Sequence, residues 1–134
     1  MRSKDITIHP FGTVVKLCSG KSVNDILMTW NEKYTPHHDL SINDMKVGTN
    51  GCVLKIPDKD GLLCFALMLE DNCTDEVIVH EVFHLVMHLA NFKGCEWSEE
   101  SDEWYAYCVK NTFIQVQQFI RKNNNRGQRK PLKE

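Results

Sequence analysis

Three side chains in the run VIVHEVFHLVMHLA, residues 77–90, have the types and spacing for hydrolytic chemistry: His80, Glu81 and His84, in the pattern HExxH. On a helix, two imidazoles four residues apart project from adjacent turns, close enough to share one Zn2+ ion. The glutamate beside the first histidine points about 100° further round, where it ligates that ion poorly but reaches a water on it. Zinc lowers the pKa of such a water towards about 7, and a glutamate that takes its proton leaves a nucleophile for amide hydrolysis.

That geometry requires a helix, and the run supplies one with two unlike faces. On a wheel turning about 100° per residue from His80, His84 falls near 40°, His88 near 80° and Glu81 near 100°. Ile78, Val79, Val82, Leu85, Val86, Leu89 and Ala90 fill the sector opposite. Buried titratable groups are costly unless something pairs with them. A helix seated in the core on its hydrocarbon side, presenting a His/Glu cluster on the other, reconciles the two. Thr74, followed by Asp75 and Glu76, is the expected N-cap.

Two protein ligands leave a zinc site incomplete. His88 lies eight residues beyond His80, about 12 Å of helical rise, so one ion does not reach all three histidines, and a hydrogen bond at the cleft edge suits it better. A metzincin is excluded, because Met87 and Ala90 stand where HExxHxxGxxH needs Gly and His. His37 and His38, beside Pro36, are expected in a loop and are not assigned to the metal. The acidic run SEESDEWYAY, residues 98–107, offers four carboxylates at the start of a second helix. Glu99, Glu100 and Asp102 suit the positive end of the helix dipole. Glu103 precedes the small Ala106 by one turn, a spacing that favours close approach to the HExxH helix. Asp102 lies nearer the centre of the apolar stripe, so periodicity leaves both open.

HExxH on one helix followed by ExxA on the next resembles the minimal gluzincin-type zinc metallopeptidases, including small ones encoded by phages and mobile elements. The matching residues are His80, Glu81 and His84, then Glu103 with Ala106, and the resemblance covers residues 62–120. It implies zinc held by His80, His84 and Glu103, with Glu81 as general base and acid. It also implies an oxyanion-stabilising residue, for which Tyr107 is the candidate, and a strand at the cleft edge, for which LLCFALML, residues 62–69, stands in the right place.

The rest of the chain must position these groups. Ile6 to Ile8 and TVVKL, residues 13–17, read as two short strands or one bent at Pro10 and Gly12. Ser22 can cap a helix through Val23, Ile26, Leu27 and Trp30 that ends before Pro36. CVLKI (52–56) and LLCFALML bracket a Pro/Asp/Gly turn and read as an antiparallel hairpin. Ser98 or Ser101 can cap a helix over about residues 99–122, with the stripe Ala106, Val109, Phe113, Val116 and Ile120. The expected fold is an α+β minimal zincin: a small, mostly antiparallel sheet packed on the HExxH helix and a second long helix. Residues 1–122 form one domain and 123–134 a flexible basic tail.

At 134 residues, with 42% apolar and 25% charged side chains, composition fits a soluble globular domain. The net charge of −2 hides an asymmetry, since residues 121–134 carry +5 and the remainder −7. The N-terminus shows no apolar targeting segment and no run is long enough to span a membrane, so a cytoplasmic protein is expected. Its six cysteines form no CxxC pair and are expected to be reduced, mostly buried thiols. The expected partner is a protein or peptide substrate; the basic tail also admits nucleic acid. The rival from another class is a non-catalytic binding or regulatory module stapled by metal.

Overall fold

The structure, a computed structural model, describes residues 1–34, 50–57, 63–95 and 98–128. The element order is β1 (Arg2–Ile8), β2 (Thr13–Gly20), α1 (Val23–Tyr34), β3 (Gly51–Pro57), β4 (Leu63–Glu70), α2 (Asp75–Phe92) and α3 (Asp102–Gln128). The fold is α+β. Its four-stranded sheet has the order β1-β2-β4-β3. Both hairpin-like neighbours, β1 with β2 and β3 with β4, are antiparallel, while β2 and β4 run parallel. The turn after β1 holds a cis His9–Pro10 bond, and Gly12 closes it at φ 69°, a conformation costly for residues with a Cβ.

Alternation along the strands builds two cores. Ile6, Ile8, Val15, Leu17, Phe65, Leu67 and Leu69 face α2 and α3. Cys18, Ala66 and Met68 face the opposite way, onto Val23, Ile26, Leu27 and Trp30 of α1. The sheet is therefore covered on both faces. This accounts for the unbroken apolar run of β4, whose side chains are buried alternately above and below, the pattern of an interior strand.

That placement corrects one expectation. The strand at the sheet edge beside α2 is β3, whereas the strand the resemblance assigns to the cleft edge lies one position inward as β4, Leu63–Glu70.

Capping agrees with the sequence. Ser22 Oγ accepts from the Asp25 N–H at 3.1 Å, and Thr74 Oγ1 accepts from the Val77 N–H at 3.4 Å. Ser98 and Ser101 exchange bonds between each backbone N–H and the other's hydroxyl, and α3 begins just after them. The helix then runs through Gln128, six residues past its expected stop, because once a helix is nucleated each added residue costs little.

α3 is fastened at several points. Trp104 meets Phe11 edge-on at 5.0 Å. Arg121 and Gln117 bond the Asp75 carboxylate at 2.7 and 3.0 Å, tying this helix to the start of α2. Its buried side chains are Tyr105, Cys108, Thr112, Val116 and Ile120. The expected stripe is thus turned by part of a helical step: Ala106 is exposed, and Tyr105 and Cys108 occupy the core instead. A buried threonine and cysteine disguise that stripe, because neither stands out as apolar.

Candidate active site

α2 is seated by Ile78, Val82, Leu85, Val86, Leu89 and Ala90, all buried. Val79, placed by the wheel near the margin of the apolar sector, is 44% exposed, and Phe83 beside the histidines is 50% exposed. The opposite face carries the chemistry. His80 and His84 turn their rings toward one another, with Nε2 to Nε2 at 3.1 Å. Two nitrogens that close can share one proton, or can both lie about 2.0–2.1 Å from a single zinc ion placed beyond them.

Glu81 occupies the third corner. Its Oε1 is 4.0 Å from His80 Nε2, and the side chain is only 12% exposed, against 66% for His80. Burial pushes the Glu81 carboxyl above its ordinary range, with partial opposition from His80 and His84. A carboxylate whose proton affinity burial raises suits general-base work.

Enclosure of Glu81 comes from β3. A Cβ added to Gly51 would lie 3.0 Å from Glu81 Cγ and 2.6 Å from Leu69 Cδ2, so the helix leans on the edge strand where a side chain is missing. Further along, Lys55 lies near enough to His88 to act on its charge: burial first, then Lys55 and His84, lowers the His88 pKa. His88 is half-buried, its ring 6.4 Å from that of His84. The same strand carries Cys52, whose thiol is pushed up to about 12 chiefly by burial and next by the charge of Glu81. β3 therefore runs beside the reactive face of α2. Its role was not readable from the sequence, where Asn50 and Gly51 serve equally well as turn residues.

The structure brings His80, Glu81 and His84 together. Glu103 and Asp102 stand exposed in the first turn of α3, and Tyr107 is 59% exposed on the same helix. Among the described residues no group of three or more His, Cys, Asp or Glu side chains is placed to hold a metal ion, so Glu103 does not join the pair here. For zinc, the imidazole pair fits two coordination positions, and the described residues do not supply a third. His37 and His38 lie outside the described residues.

No family model matches this chain, and comparisons with curated proteins and with solved structures find no match either. Among the described residues no helix is long and apolar enough to cross a membrane.

Proposed function

We propose that the protein is a zinc-dependent metallopeptidase that hydrolyses peptide bonds of a protein substrate. The observation carrying this reading is the pair of Nε2 atoms 3.1 Å apart with the largely enclosed Glu81 side chain beside them. His80 and His84 would hold the ion; Glu103, which this structure does not bring to the pair, is the third donor that the resemblance implies. Zinc, when bound, supplies a Lewis acid for the substrate carbonyl and acidifies water.

The chain's own groups do the rest. Glu81 takes a proton from water on the open side of the histidines and returns it to the leaving amine, a role its raised proton affinity supports. The missing side chain at Gly51 lets the glutamate stem lie close against β3. β3, paired on one side only among the described strands, offers backbone groups to an extended peptide, as sheet edges do. Tyr107 is the proposed oxyanion partner. Cys18, Cys52, Cys73, Cys95 and Cys108 form no disulfide, which suits a reducing compartment such as the cytoplasm.

The test is Glu81→Gln with zinc content and hydrolysis of a labelled unfolded protein measured together. Zinc is expected to stay while the rate falls by about 10²–10⁴, the usual worth of a general base. A variant that cleaves like the wild type removes Glu81 from the mechanism.

A further inference from the structure

A second site lies away from the histidines. Between the first residues of β1 and the C-terminal half of α3 opens a groove of about 660 Å³, whose walls include Arg2 and Lys4 on one side and Gln118, Phe119 and Lys122 on the other. Strand alternation puts Arg2 and Lys4 on the face shared with the core residues Ile6 and Ile8, directly under the overhang of α3. Arg2 is held in place: its guanidinium lies 4.5 Å over the Phe119 ring and donates to the Phe119 carbonyl at 3.0 Å. Among the described residues lining the groove none is acidic. The nearest acid along the strand, Asp5, is paired with Lys16 at 3.0 Å. A chain of net charge −2 thus gathers three cations in one concave place.

We propose that this groove binds the phosphodiester backbone of single-stranded nucleic acid. Arg2 and Lys4 are spaced two residues apart on a strand, about 6.8 Å, a repeat close to that of successive phosphates in an extended single strand. Lys122 faces them across the groove, and the Gln118 amide can bond a base edge or sugar. Phe119, already stacked under Arg2, adds an aromatic wall of the kind that single-strand grooves use alongside charge. The concavity favours a strand over a flat lipid surface, and the combination of amide, ring and cations favours a nucleotide chain over an acidic peptide. Gln118 and Lys122 sit on a different flank of α3 from Gln117 and Arg121, which reach α2, so binding here leaves the histidine face free.

The experiment uses the full chain and a fluorescein-labelled dT12 oligonucleotide, followed by anisotropy at 50 to 200 mM NaCl. Binding is expected to weaken as salt rises. The double variant Lys4→Glu/Lys122→Glu, at two exposed positions, is expected to lose about tenfold or more in affinity and to flatten the log-log salt slope by about 1.4, from roughly 0.7 per cation. Lys4→Ala/Lys122→Ala serves if circular dichroism shows that the charge reversal disturbs the fold. Absence of binding by the wild type overturns the proposal, as does a double variant that binds like it. Equal competition by poly-glutamate of the same charge, or by vesicles of phosphatidylcholine and phosphatidylserine, overturns it as well.

Discussion

Gly51 and Glu81 are in contact across the seam between β3 and α2, so close that a single methyl group on the glycine would press on Glu81 Cγ at 3.0 Å and on Leu69 Cδ2 at 2.6 Å. Leu69 is fully buried and has little room to yield. Gly51→Ala is therefore expected to destabilise the protein by about 1–3 kcal/mol, the usual range for overpacking. It should also move the Glu81 carboxylate and lower hydrolysis beyond what the loss of folded protein explains. Urea denaturation together with rates per folded molecule checks both effects, and an alanine variant as stable and as active as the wild type would show that strand and helix stand further apart.

His88 predicts an acid sensitivity. Burial, then the positive Lys55, then His84 lower its pKa in the folded protein, so the unfolded chain takes up this proton at the higher pH. Its contribution to stability is complete above the ordinary histidine value of about 6.5 and is lost as pH falls from there through the lowered folded value. In chelator-treated protein, His88→Gln should lose less stability than the wild type between pH 7.5 and pH 5.5. Parallel losses in urea midpoint would mean that His88 charges as easily in the folded state as outside it.

The two predictions differ in how far the sequence foresees them. HExxH, its helix, its Thr74 cap and its apolar seat could all be read from spacing, because a helical period and a cap are local properties of the chain. The β3/β4 hairpin was equally legible, whereas residues 6–8 and 13–17 left two short strands or one bent strand open, and the structure shows the antiparallel pair β1 and β2. The order of strands was not legible, since β2 and β4 pair across some 50 positions of chain and no local pattern records that. The apolar run of β4 did hold a clue, for a strand covered on both faces belongs inside a sheet. Gly51 was hidden for another reason: a glycine required by a close approach looks the same in sequence as one required by a turn. The burial of Tyr105 and Cys108 in place of Ala106 likewise depends on how α3 rolls on its neighbours, which a wheel drawn for one helix does not contain.

Glu103 gives the cleanest test of the third ligand because it is exposed. A surface substitution without a packing role changes stability by less than about 0.5 kcal/mol, so Glu103→Ala is expected to leave the metal-free protein's unfolding midpoint unchanged. Zinc affinity, titrated with a competing chelator, then reports ligation directly. Ligation by Glu103 shows as affinity falling at least about tenfold, comparable to the loss of a coordinating group, while His80→Ala and His84→Ala lose zinc in any case. Affinity equal to the wild type takes Glu103 out of the coordination sphere.

Removal of zinc separates a catalytic centre from a staple. Ile78, Val82, Leu85, Val86 and Leu89 seat α2 through fully or nearly fully buried hydrocarbon on the face opposite the histidines, and Asp75 is independently tied to Gln117 and Arg121. None of these contacts passes through His80 or His84. The chelated protein should therefore keep its far-ultraviolet circular dichroism and unfold cooperatively, while hydrolysis stops and returns on adding zinc. Zinc should still raise stability by mass action, about 2.7 kcal/mol at a free concentration a hundredfold above Kd. Unfolding on chelation would instead mean that metal binding drives folding, as it does in small domains whose cores are insufficient alone, and the site would then be a structural clamp on which no hydrolysis depends.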